Sequence, residues 1–106
     1  MKMDEPLKYQ VLVSPKARDM LFEHLSFLAQ VSPSAAEALL DEFEKRQSSL
    51  ETFPERCPYY HNPYVQPRKY RRFALSNYLL ILFQIEGNKV LMELIIDTRA
   101  ENIGVE

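Results

Sequence analysis

The stretch from Arg68 to Arg99 constrains this chain more than any other. It opens on Arg68, Lys69, Arg71 and Arg72, becomes apolar from Tyr78 to Phe83, turns at Gly87-Asn88 and closes on Arg99. Leu79, Ile81, Phe83 and Ile85 fill one parity of an extended strand, and Leu80 and Leu82 make much of the other apolar too. Side chains alternate between faces along a strand, so this pattern predicts a central strand covered on both sides. Tyr70 to Leu75 precede it as one strand, with Ser76-Asn77 as the turn. Val90 to Asp97 follow it as another, placing Val90, Met92, Leu94 and Ile96 on the core side and Leu91, Glu93, Ile95 and Asp97 outward.

Upstream, Tyr9, Val11 and Val13 alternate as a short first strand ending at Ser14-Pro15. Serine caps a helix N-terminus with its side-chain oxygen, and proline suits the first helical position because its missing N–H would have no helical partner. The same pair recurs at Ser32-Pro33, so two helices follow one another as a hairpin. Ala17, Met20, Leu21, His24, Leu25 and Leu28 make the inner stripe of the first helix, to about Gln30, with Phe22 and Phe27 widening it. Ala36, Leu39, Leu40, Phe43, Gln47 and Leu50 make that of the second, which Pro54 ends just after Phe53. Residues 54–67 hold four prolines among Cys57, Tyr59, Tyr60, His61 and Tyr64, an extended, ordered loop. The order β-α-α-β-β-β is an α+β layout, a helical hairpin packed on a mostly antiparallel four-stranded sheet.

The 106 residues, 46% of them hydrophobic, suit a single domain over 1–106, with 1–7 as an N-terminal tail. The apolar runs are far shorter than the roughly 20 residues of a membrane-spanning helix. One cysteine makes no internal disulfide and the charged N-terminus lacks a signal-peptide pattern, so a cytoplasmic protein is expected. The net charge of −2 hides a segregation, since residues 54–77 carry +4 while 35–53 and 78–106 each carry −3. Local positive charge suits contact with one anionic partner rather than tracking along a nucleic-acid backbone. His24, His61 and Cys57 make no recognisable metal constellation, and no cofactor is implied. His24 reads as a packing residue and His61 as a loop residue.

Nearly the whole chain resembles the RelE/ParE superfamily of toxins from bacterial type II toxin–antitoxin systems. The residues that carry this are Tyr9 to Ala17, Leu50 to Glu55, Tyr70-Arg71-Arg72, Asn77 to Leu80, and Ile95 to Arg99, in that order and spacing. The resemblance implies a small toxin neutralised by a cognate antitoxin, as a toxin–antitoxin hetero-oligomer or with a homodimer. Its target would be DNA gyrase, as for ParE, or ribosome-bound mRNA, as for RelE. Arg72 (or Arg71) matches the family arginine on the strand after the loop, and Arg99 the arginine beyond the last strand.

Metal-independent RNA cleavage needs a base for the 2′-OH, an acid for the leaving oxygen and cations on the phosphorane. Arg71, Arg72 and Arg99 supply cations, with Asp97 or Glu93 as base; the same arginines also suit a solvated ion-pair surface. Where many RNA-cleaving members have histidine two positions before the last arginine, this chain has Asp97, and 100–106 contain no Tyr, His or Lys. These departures favour ParE-like inhibition of gyrase. The alternatives are a ribosome-dependent mRNA endoribonuclease using Arg72 and Arg99, and an inactive relative that binds a partner.

Overall fold

The computed structural model describes residues 8–99. Its elements are β1 (Gln10–Val13), α1 (Pro15–Val31), α2 (Pro33–Ser49), a 3-10 turn (Pro54–Arg56), β2 (Arg71–Ala74), β3 (Leu79–Glu86) and β4 (Lys89–Asp97). The sheet order is β1-β4-β3-β2, with β1 parallel to β4 and the other two pairs antiparallel. The α+β architecture is therefore the one expected. No helix among the described residues is long and apolar enough to cross a membrane.

The two serine–proline pairs act as the sequence requires. The Ser14 hydroxyl accepts from the Ala17 N–H at 2.9 Å and donates to the Glu93 carbonyl at 3.0 Å, so one side chain starts α1 and ties it to β4. Ser32 ends α1 through its N–H to the Leu28 carbonyl and begins α2 by accepting from the Ala35 N–H at 3.2 Å. A single extended residue thus folds the hairpin back on itself. Gly87, at φ 59°, supplies the left-handed conformation of the two-residue β3–β4 turn.

The core lies between the hairpin and one face of the sheet. Ala17 and Leu21 of α1 and Leu39 and Phe43 of α2 meet Leu79, Ile81 and Phe83 of β3 and Val90, Met92 and Ile95 of β4. A second, smaller cluster on the opposite face joins Tyr60, Tyr70 and Leu82, with Val65, Leu80, Leu94 and Ile96 against it. Strand β3 is covered on both sides, as its composition predicts.

Several expectations are corrected. Leu94 and Ile96 do not share a face with Val90 and Met92: the β3–β4 register shifts between Leu82 and Phe83, whose partners are Leu94 and Met92. Glu93 is the extra residue, and such a bulge reverses the facing of everything after it. Ile95 becomes fully buried under the helices, and Asp97, opposite Leu79, moves to the helix side. Phe22 and Phe27 do not widen the buried stripe of α1; they are 69% and 65% exposed. Leu40 is likewise exposed. Helix α2 ends at Ser49, four residues before Phe53, with Leu50 as its C-cap; Phe53 then takes a left-handed conformation (φ 49°) at the start of the 3-10 turn. Arg56 then folds back on the helix end, donating to the carbonyls of Thr52 and Phe53 at 2.8 and 2.9 Å and to the Ser49 hydroxyl. Its Nη1 also lies 3.5 Å from the Ser49 carbonyl, where a cation offsets the negative end of the helix dipole.

The double duty of Ser14 gives a stability test. Ser14→Ala should cost about 2 kcal/mol in urea unfolding and Ser32→Ala about 1 kcal/mol, because only the former also strands a sheet contact. Equal losses would show that the link to Glu93 adds nothing.

Candidate functional site

The four residues singled out in the sequence lie in three places. Arg71 is occupied by the proline-rich loop. Its Nη1 donates to the carbonyls of Glu55 and Cys57 at 3.1 and 2.7 Å, its Nη2 donates to the Tyr59 hydroxyl at 3.0 Å, and the guanidinium lies 4.2 Å from the Tyr59 ring centroid. Only the planar, multi-donor arginine head makes such a set. Backbone bonds complete the attachment: Tyr60 N–H to the Tyr70 carbonyl and Arg72 N–H to that of Pro58. The loop thereby covers the outer edge of β2. Cys57 is buried beneath it, and burial pushes its thiol pKa up, against weaker opposing effects of Arg56 and Arg71. It is held as a neutral thiol, not an activated nucleophile.

Arg72 is opposite Leu82 and so lies on the sheet face away from the helices. Its guanidinium has no hydrogen-bond or ion-pair partner among the described residues. Nearby, Lys69 holds its ammonium 5.4 Å from the Tyr70 ring centroid. The buried Tyr70 hydroxyl donates to Glu93 Oε1 at 3.1 Å, and Gln84 Nε2 donates to Glu93 Oε2 at 2.5 Å. Burial, and then the bond to Glu93, raise the Tyr70 pKa, so it stays a neutral donor. Beside this group an open groove of about 500 Å³ lies over the paired strands β1 and β4, with Leu12, Leu91 and Leu94 as apolar lining and Glu93 and Lys16 as charges.

Arg99 and Asp97 form the third place. Arg99 Nε and Nη2 donate to Asp97 Oδ1 and Oδ2 at 3.2 and 3.0 Å, and the Arg99 backbone N–H donates to Oδ1 at 2.9 Å. The guanidinium stacks 3.7 Å from the Tyr78 ring centroid. Hydrogen bonding to Asp97 raises the Arg99 pKa further. Asp97 is opposite Leu79 whereas Arg72 is opposite Leu82. They are on opposite faces and three residues apart along the strand direction, roughly 10 Å. Asp97 is thus engaged with Arg99 and sits away from Arg72, and the two arginines do not frame one surface.

The Tyr70–Glu93–Gln84 group is not legible as a unit in the sequence. Glu93 reads there as a candidate base on an outward face, and nothing in its neighbours announces a bulge. Among the described residues no three His, Cys, Asp or Glu side chains converge as metal ligands. His24 is half-buried on α1, and His61 is exposed in the loop. Tyr60 pins the loop, whereas Tyr64 is 94% exposed.

Two measurements check these assignments. Arg71→Lys should lower stability by about 2 kcal/mol and speed proteolysis within residues 54–67, since lysine cannot reproduce the fork; Arg72→Ala should leave both unchanged. The folded state also favours neutral Tyr70 and neutral Cys57. A raised pKa in the fold gives stability that is complete below the unfolded value and lost as pH rises past it. The melting temperature should therefore fall from about pH 9 upward, and further above about pH 10, the ordinary cysteine and tyrosine ranges. Tyr70→Phe should flatten the second decline.

Comparison with known proteins follows the same outline. Residues 11–103 match the family described as "ParE toxin of type II toxin-antitoxin system, parDE". Among solved structures, one titled "Chromosomal ParDE TA system from P. aeruginosa" superposes with a TM-score of 0.70 at 12% identity, covering 87% of this chain and 98% of that one. That likeness concerns the fold. No curated protein matches the sequence significantly. With the family match running through β1, the hairpin and all three later strands, the chain belongs to the ParE toxin family of type II toxin–antitoxin systems.

Proposed function

We propose that this toxin acts by binding DNA gyrase rather than by cutting RNA, and that a cognate antitoxin neutralises it by docking on the sheet. The observation that carries the first part is the separation of the arginines. Cleavage at one phosphate requires base, acid and cations held around the same few ångströms. Here Arg71 is bound into the loop, Arg99 is on Asp97 and Tyr78, and Arg72, without an ion-pair partner among the described residues, is on the other face. A toxin that works by binding needs no such convergence.

For the antitoxin, β1 supplies a docking edge. Gln10 and Ser14 direct their N–H groups into the parallel ladder, to the carbonyls of Asn88 and Met92. The alternate residues Val11 and Val13 therefore direct theirs to the open side, where an added strand would bond. The groove of Leu12, Leu91 and Leu94 continues from that edge and offers apolar burial for the same segment. The products of this docking are toxin–antitoxin hetero-oligomers.

The ribonuclease reading keeps one observation in its favour, Arg72, without a partner among the described residues, beside Tyr70 and Lys69 on the open face. Purified chain incubated with gyrase and plasmid separates the two. Inhibited supercoiling or accumulated cleaved DNA is expected, with a DNA-damage response on expression in bacteria and intact transcripts. Transcripts cut on ribosomes, with cutting lost in Arg72→Ala and Arg99→Ala, would replace this reading with the ribonuclease. Normal growth would leave an inactive, partner-binding relative.

A further inference from the structure

Helix α1 has a second face that neither the core nor the sheet groove uses. Phe22 and Phe27 leave about two-thirds of their surface in water. They flank a shallow, open groove formed by α1 alone, whose other lining residues are Asp19, Glu23, Ser26 and Gln30. The small Ser26 lies between the rings and lets an incoming side chain approach the helix. Nothing in the fold demands aromatic residues here, since the inner stripe of α1 is complete without them.

Charge selects the occupant. Asp19 and Glu23 have no hydrogen-bond or ion-pair partner among the described residues, and no basic side chain lines the groove. The nearby cations of α1, Lys16 and Arg18, line other grooves. Helix α2 adds exposed Glu37, Asp41 and Glu44 against one exposed cation, Lys45, so the outer surface of the hairpin is net negative. An arginine or lysine fits this chemistry: its stem lies along the rings, its head attracts their π faces, and the carboxylates pair with it.

We propose that this groove is the target-facing surface of the toxin, taking a basic, apolar-bearing segment of the target protein, while the antitoxin occupies the β1 edge and sheet groove. This rests on the toxin reading above. It assigns inhibition and neutralisation to opposite sides of the molecule, so a variant should lose one without the other.

The test uses the full chain and its cognate antitoxin. The double variant Phe22→Ser/Phe27→Ser should keep its melting temperature, because both rings are already in water. The inducer level needed to arrest growth of a bacterial host should rise by about tenfold or more, as expected for loss of aromatic anchors. Antitoxin affinity, measured by calorimetry, should change less than about twofold, a small fraction of the tenfold that 1.4 kcal/mol represents. Asp19→Asn/Glu23→Gln, which removes charge without touching the rings, should weaken arrest in the same direction and preserves the test if the aromatic variant folds poorly. Arrest at the wild-type inducer level in either folded variant overturns the proposal. So does a fall in antitoxin affinity, which would assign the groove to the antitoxin. A wild-type chain that arrests nothing removes the toxin reading itself, whereas a toxic wild type with equally toxic variants removes only this assignment.

Discussion

Strand β3 is packed on both faces along most of its length. Leu79, Ile81 and Phe83 press into the helical hairpin while Leu82 and Leu80 meet the tyrosine cluster on the other side. Each large side chain buried there contributes about 1.5–3 kcal/mol of transfer free energy, and only a strand with neighbours on both edges satisfies its backbone as well. β2 and β4 supply those edges. Since β2 is only four residues long, the loop that covers its outer edge, and the Arg71 fork that holds the loop, become part of what keeps β3 dry.

The bulge at Glu93 is the second consequence of covering both sides. Without it, Leu94 and Ile96 would join Val90 and Met92 under the helices, and the tyrosine cluster would lose half its apolar floor. The extra residue divides β4 between two clusters. It also places the Glu93 carboxylate where Tyr70 and Gln84 reach it, and its carbonyl where Ser14 reaches it. The same reversal sends Asp97 to the helix side. Much of the difference between an apparent arginine-framed surface and three separate stations comes from this one residue of register.

Charge is segregated in three dimensions as well as along the chain. Arg72 and Lys69 belong to the open sheet face, and the carboxylates of α1 and α2 lie outside the hairpin. Both surfaces carry apolar side chains beside their charges, Leu12 and Leu94 on one and Phe22 and Phe27 on the other. A molecule of this size with two unlike, half-apolar surfaces is suited to two different protein partners.

The sequence by itself determined the element order, the two capped helices, the two-sided central strand and the Gly87 turn. Each rests on local chemistry: a serine oxygen, a proline ring, a period of two or 3.6, a glycine at positive φ. The resemblance read from ordered short motifs named the family for the same reason. Only the tertiary structure decided that Phe22 and Phe27 face water, because helical periodicity bounds a stripe but not how wide a neighbour covers it. It alone decided that Arg71 serves a loop fourteen residues upstream and that Glu93 is a bulge, since strand register is a property of two chains of atoms side by side. The arginines were legible as residues; their separation became visible only when the strands were paired.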